Sequence, residues 1–202
     1  MKVSVLISNQ PFQSSMENKL ANRLAEEVIR HGHKAQVVAI PFVWKTPEQV
    51  VDNMLAVRLT CIPNTDLVIA LNFPAFYIEH FNKKVWMVNQ FRQAYENTGE
   101  NYAAFTKNDE HKRIKQSIAR ADKNYLGRAR GIYTVSHSIS EKLYETVGLT
   151  SDVLYPPLEI SEKPAKNEYS DYFYCPDEIR KEGRQLLAVE AMRYVKSHVR
   201  DR

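Results

Sequence analysis

Val3–Ser8 reads VSVLIS and Asp66–Leu71 reads DLVIAL. A strand with one wet face alternates apolar and polar residues, whereas a strand covered by helices on both faces does not. These two runs are nearly continuous in Val, Ile and Leu, so they predict buried strands of a parallel sheet. Working outward, Gln36–Ile40 (QVVAI), Val85–Val88 (VWMV) and Ile132–Val135 (IYTV) repeat the pattern, and Val153–Tyr155 adds a short sixth strand. Helical periodicity fills the gaps. Over Ser15–Arg30, Leu20, Leu24 and Val28 recur every four residues beside Ala21 and Ala25, and Gly32 is placed to end the helix. Thr46 followed by Pro47 predicts a capped start for a helix to Arg58. Asn108, Asp109 and Glu110 open another, to Leu126, with Ile114, Ile118, Ala121 and Tyr125 on one apolar stripe. Ser138–Thr146 is the last. Strands alternating with helices predict an α/β domain over residues 1–157, a doubly wound, Rossmann-like parallel sheet.

Pro156–Pro157 closes that domain, and residues 158–170 are polar and read as a linker. Tyr172–Cys175 (YFYC) predicts a further strand, and about Glu182 to Val195 a further helix. Residues 171–202 fall short of the roughly 40 that a domain needs to fold alone. They read as the incomplete start of a second Rossmann-like domain.

The 202 residues are 44% hydrophobic and 26% charged, a balance that favours a packed core over disorder. No run approaches the roughly 18–20 apolar residues of a membrane span, and no leader pattern opens the chain, so a cytoplasmic location is expected. Cys61 and Cys175 form no CxxC pair and read as buried free thiols. The net charge is +4, but residues 107–130 alone carry eight basic and three acidic side chains. That local surplus predicts an anionic partner. Aromatic side chains are not interleaved with these charges beyond Tyr125, and no nucleic-acid reader motif is present, which argues against nucleic acid.

The six glycines form neither GxGxxG nor GxxxxGK[ST], and none precedes Gly32. The turn Ser8–Glu17 (SNQPFQSSME) is long and polar instead, at the strand end where open α/β sheets bind ligands. No HExxH or similar metal spacing occurs. His31 and His33 flank a helix end, where the dipole and solvent account for them.

Taken in order, the blocks DLVIALNFPAFYIEH, KKVWMVNQFRQAYE, ARADKNYLGRARGIYTVSHSISEKL and GLTSDVLYPPLE resemble the acceptor-side domain of glycosyltransferase family 4 enzymes. HGHKAQVVAIPF is similar to the family's second-strand entry, and DYFYCPDEIRKEGRQLLAVEAMRYVKS to the opening of its donor-side domain. The resemblance implies the GT-B fold, two Rossmann-like domains facing a cleft. It implies retaining transfer of a sugar from a nucleotide-sugar donor to a glycan or lipid-linked acceptor, with no cofactor and no required metal. The acceptor candidates past the strand Val85–Val88 are Asn89, Gln90, Arg92 and Tyr95, and those at the last strand–helix junction are Ser136 and Ser138. Arg180, Lys181 and Arg184 are the donor-phosphate candidates. A lipid-linked acceptor would place the basic segment 107–130 against an anionic inner membrane face.

The chain departs from the family pattern at several positions. Ser14 and Ser15 replace a glycine pair before Met16 and Glu17, and Asn89 stands where a His precedes Gln90. Glu178 and Gly183 stand where an Arg and a Lys meet the diphosphate. Glu182 and Glu190 echo the family's glutamate pair but fall far too early, and they read as a solvated helix face. Because only the start of the donor-side domain is present, the 202 residues are expected to be inactive alone; the altered phosphate positions Glu178 and Gly183 keep a second reading open, a non-catalytic binding or regulatory module that keeps the acceptor fold.

Overall fold

The computed structural model describes residues 1–12, 15–96, 105, 108–157, 173, 175 and 185–195. The chain divides into two compact units, Met1–Pro157 and Leu158–Arg202.

In the first unit, strand and helix alternate as β1 (Lys2–Asn9), α1 (Met16–Arg30), β2 (Lys34–Pro41), α2 (Pro47–Leu59), β3 (Leu67–Asn72) and β4 (Lys83–Asn89). A short helix α3 (Arg92–Tyr95), then α4 (Asp109–Leu126), β5 (Gly131–Thr134), α5 (His137–Val147) and β6 (Asp152–Val153) complete it. A 3-10 turn, Ala75–Tyr77, interrupts the passage from β3 to β4. All six strands are parallel, in the order β2-β1-β3-β4-β5-β6. The Rossmann-like α/β architecture expected from the apolar runs is therefore present in the first unit.

Both faces of the sheet are covered, unequally. Leu6, Val68, Ala70, Val85 and Met87 meet Val50, Met54 and Val57 of α2, Ile118 and Leu126 of α4, and Leu143 and Val147 of α5. On the other face Val5, Ile7, Leu71 and Trp86 meet Ala21 and Ala25 of α1. The small side chains let α1 lie close to the strands. Beyond α1, among the described residues, this face carries a largely apolar groove of about 520 Å³ over Ile69, Trp86 and Tyr133 to Leu154 and Tyr155. Trp86 Nε1 donates to Leu154 O at 2.8 Å and holds the last strand's exit to the sheet.

The helix ends follow the sequence closely. Ser15, Asn108 and Ser136 each accept a backbone N–H from the first turn of α1, α4 and α5. Gly32 (φ 80°) and Gly148 (φ 73°) take the left-handed conformation that ends α1 and α5. Four expectations need correction. Thr46 precedes Pro47 as expected, but its side chain makes no capping bond to α2. Ser136, not Ser138, begins the last helix. β1, β2 and β4 run one to two residues past their apolar runs because backbone pairing continues through Lys2, Lys34 and Lys83, whereas β5 ends at Thr134 and β6 spans only Asp152–Val153, short of the expected Val135 and Tyr155. Cys61 and Cys175 are both exposed, not buried. Cys61 falls in the surface connection between α2 and β3.

In the second unit the helix α6 (Gln185–Ala191) and a 3-10 turn (Met192–Tyr194) are described, and Leu186, Leu187, Val189 and Tyr194 are exposed. Phe173 and Cys175 are exposed and in no strand, while Tyr172 and Tyr174 of the expected YFYC strand lie outside the described residues. So does the proposed linker, residues 158–170.

Candidate functional site

A parallel open sheet parts its loops where successive connections leave in opposite directions, and ligands enter there. In the order β2-β1-β3-β4 that point lies at the carboxyl ends of β1 and β3. Three polar residues end neighbouring strands at this edge: Ser8 near the end of β1, Asn72 on β3 and Asn89 on β4, with Asn72 and Asn89 paired in register. Asn72 bridges β1 and β3 with its side chain. Its Oδ1 accepts Ser8 N–H at 2.7 Å and its Nδ2 donates to Ser8 O at 2.7 Å. The amide thus continues the ladder by one rung and is itself fixed. Ser8 is 5% exposed, and its hydroxyl has no hydrogen-bond partner among the described residues. A buried, unpaired hydroxyl is costly unless something fills its place.

Across the loop, the α1 N-terminus is assembled from short polar side chains. Ser15 Oγ accepts Asn18 N–H at 3.3 Å and donates to Asn18 Oδ1 at 3.1 Å, and Asn9 Nδ2 donates to the same oxygen at 3.3 Å. These bonds tie the end of β1 to the start of α1. Phe12, between them, has a φ of 64° and is fully exposed. Positive φ is unfavourable for a bulky residue, so this turn stores backbone strain at the ligand edge.

The residues singled out past β4 separate into two groups. Asn89 is exposed at the strand end beside Asn72. Gln90 instead turns toward α5, where its Nε2 donates to Thr146 Oγ1 at 2.9 Å. Arg92 pairs with Glu96 at 2.7 Å, and Lys142 of α5 reaches the other oxygen of Glu96 at 2.6 Å. The Lys142 hydrogen bond, with that of Arg92, holds the Glu96 carboxyl below its ordinary range against the opposing effect of burial. Tyr95 turns inward: its hydroxyl donates to Asp122 Oδ2 at 2.6 Å, and Tyr77 donates to Oδ1. Gln90, Arg92 and Tyr95 thus hold the loop's shape, and Asn89 faces solvent. At the last junction Ser136 caps α5 with Ile139 N–H at 3.4 Å, and Ser138 is exposed in the first turn. Arg180, Lys181 and Arg184, with Glu178, Glu182 and Gly183, lie outside the described residues. Glu190 is exposed on α6.

Sequence reasoning placed the Ser8–Glu17 turn but passed over Asn72 and Asp122. Both carried a signal. Asn72 follows an apolar strand directly, and Asp122 interrupts the stripe of α4 four residues after Ile118. Asp122 is fully buried, and burial pushes its carboxyl up to about 6, while the two tyrosine hydroxyls oppose the shift. Burial, with the neighbouring carboxylate, pushes both tyrosine hydroxyls well above the usual phenol range.

The switch-point edge therefore offers neutral amides, hydroxyls and a helix N-terminus. Such groups orient hydroxyl-rich or anionic ligands; Asn72 and Asn89 cannot shuttle protons. Among the described residues, no three His, Cys, Asp or Glu side chains gather as a metal site, and no helix is long and apolar enough to cross a membrane. Compared with protein-family models and with curated proteins, the chain matches none.

Proposed function

We propose that this chain is the acceptor-side part of a retaining, family 4-like glycosyltransferase of the GT-B type. In this reading it holds a glycan or lipid-linked acceptor at the carboxyl edge of the sheet while a nucleotide-sugar donates the sugar. The observation that carries the reading is the polar row Ser8–Asn72–Asn89 at the switch point, with a buried hydroxyl left unpaired. It agrees with the order of sequence blocks that resemble the family. Asn89 would hydrogen-bond an acceptor hydroxyl, and Ser8 would bond a group that enters between β1 and β3. Arg92, held by Glu96, would supply a cation at the rim, with Ser136 and Ser138 at the neighbouring helix start. Arg180, Lys181 and Arg184 would meet the donor diphosphate. No cofactor is needed for this chemistry, and the exposed basic face of α4 would rest against an anionic membrane.

The test is amide chemical-shift mapping on the whole chain with two probes, a short-chain polyprenyl phosphate and a neutral oligosaccharide. Saturable shifts centred on Ser8, Asn72 and Asn89 are expected with at least one probe. Shifts confined elsewhere, or none with either, would overturn the acceptor reading.

A second reading has its own support. Gln90, Arg92 and Tyr95 are all engaged by protein groups, as befits a scaffold, and Glu178 and Gly183 replace the family's phosphate-binding pair. A module that binds the acceptor without transfer would show the same shifts and, unlike the acceptor-side part of an enzyme, would leave added nucleotide-sugar intact even when a donor-side domain is supplied.

A further inference from the structure

The opposite, amino-terminal edge of the sheet holds a second concavity, of about 370 Å³, lined by Arg58, Glu79, Lys83, Tyr125 and Arg128 among others. Arg58 ends α2, Lys83 begins β4, and Tyr125 and Arg128 flank the end of α4. The charges converge there. Arg58 lies 5.1 Å from the centre of the Tyr125 ring, and Arg128 lies 5.9 Å from it. Glu79 stands between the two arginines: Arg58 Nη2 meets one oxygen at 2.5 Å, and Arg128 Nη1 is 3.7 Å from the other. Lys83 is 4% exposed and donates to Phe76 O, Ile78 O and Tyr125 O at 2.7, 3.1 and 3.1 Å. The nearby His80 ring is occupied by Thr65 O and the backbone of Asn82.

Arg58 and Arg128 thus share one carboxylate, with the Lys83 ammonium nearby on backbone carbonyls, a surplus of positive charge in a concave, partly buried place. Lys83 already takes the carbonyls at the ends of the 3-10 turn and α4, so those ends do not account for Arg128. Arg128 is held only loosely, with its side chain 57% exposed, and the Glu79 side chain, paired more closely with Arg58, is 64% exposed. Both guanidinium groups face the two oxygens of one carboxylate, and a guanidinium fork can pair with the oxygens of a tetrahedral oxyanion in the same way.

We propose that this pocket binds a phosphate group of two negative charges, gripped by Arg58 and Arg128 over the Tyr125 ring, with Glu79 displaced from Arg128. The buried Lys83 ammonium behind them adds attraction without moving. The site lies at the far end of the strands from the switch point and does not depend on the glycosyltransferase reading. The same chemistry is offered by a free phosphate and by a phosphomonoester lipid headgroup.

The test has two arms on the whole chain. In the first, inorganic phosphate is titrated calorimetrically at constant ionic strength into the unchanged protein, Arg128→Glu and Lys45→Glu. Arg128→Glu reverses a pocket charge, and Lys45→Glu reverses an exposed charge before α2, outside the pocket. In the second, vesicles containing phosphatidic acid are compared with phosphatidylglycerol vesicles of equal total charge. Saturable phosphate binding that weakens at least about tenfold in Arg128→Glu, and changes less than about twofold in Lys45→Glu, supports the pocket with the free anion as ligand. Selective retention on phosphatidic acid, lost in Arg128→Glu, supports it with the lipid headgroup as source. The proposal is overturned if neither probe binds, or if Arg128→Glu binds as the unchanged protein does in both arms.

Discussion

Tyr95 leaves the loop beyond β4 and delivers its hydroxyl to Asp122 Oδ2, 2.6 Å away inside the α/β core. Tyr77 occupies the other carboxylate oxygen, so a single buried side chain of α4 fixes both the 3-10 turn after β3 and the short helix after β4. The candidate acceptor edge is thereby anchored from beneath by a titratable group.

That anchor makes stability depend on pH in an unusual direction. Folding raises the Asp122 pKa from the ordinary 3.8 to about 6, so the folded chain holds this proton more tightly than the unfolded chain does. The associated stability is fully present below pH 3.8 and is lost as pH rises through 6, a swing of about 3 kcal/mol. Asp122→Asn removes it. In urea denaturation at pH 4, 5, 6 and 7, the variant should gain on the unchanged protein by about that amount across the series. Comparing the two proteins at each pH cancels carboxylates such as Glu96, whose depressed pKa acts in the opposite sense. A constant difference would show that folding does not raise the Asp122 pKa.

Lys83 gives the mirror-image case. Burial, then the Arg58 charge, lowers its pKa from 10.5 to about 8, with Glu79 and Arg128 as smaller, opposed influences. The cost of keeping it charged is fully present below pH 8 and fades as pH rises toward 10.5. Lys83→Met also strips three carbonyls of their donor, for a net loss of about 3 kcal/mol at neutral pH. The deficit should be larger at pH 10 than at pH 7, because only the unchanged protein sheds the charge penalty. Chemical denaturation at the two pH values decides this.

Asn72 combines a structural and a binding role, and the two separate by substitution. Asn72→Ala leaves Ser8 N–H and C=O without their side-chain partners and should cost about 2 kcal/mol in thermal or chemical unfolding. Asn89→Ala removes an exposed side chain and should leave stability within about 0.5 kcal/mol. If the acceptor reading holds, Asn89→Ala should still weaken binding of the probe that shifts the switch-point amides.

The exposed face of α4 predicts salt-sensitive membrane contact. Lys112, Arg113, Arg120 and Lys123 are exposed there, whereas Lys115 lies over the Phe105 ring and is part of the packing. Each exposed cation near an anionic surface contributes roughly 1 kcal/mol. The chain should sediment with anionic vesicles at low salt, stay in solution with neutral ones, and release as salt shortens the Debye length toward about 8 Å. Charge reversal at Lys112, Arg113 and Arg120 should abolish sedimentation with an unchanged circular-dichroism spectrum. Equal behaviour of anionic and neutral vesicles at low salt would reduce the patch to a solvated helix face.

The scaffold was legible wherever burial writes itself as periodicity. Ile118 and Leu71 announce their elements because helix and strand demand apolar residues at fixed intervals. Asn72 and Asp122 carry their roles through partners 64 and 45 residues away in the chain, Ser8 and Tyr77. No local pattern encodes such pairings. Cys61 was misjudged for the converse reason: a residue type's average burial says nothing about a particular surface connection. Gln90, Arg92 and Tyr95 sit where an acceptor loop was expected, but only the geometry reveals that Thr146, Glu96 and Asp122 already hold them.

The strand order carries a consequence for how the chain is made. β1 is flanked by β2 on one side and β3 on the other, and β4, β5 and β6 then join one after another at the same growing edge. Among the described strands, none is inserted between two that have already paired. As the polypeptide leaves the ribosome, each newly emerged strand finds its template exposed and waiting. Assembly can thus keep pace with synthesis from the amino terminus onward. The long-range pairings of a parallel sheet, slow when all must close at once, are reduced to a series of single additions in the order of translation.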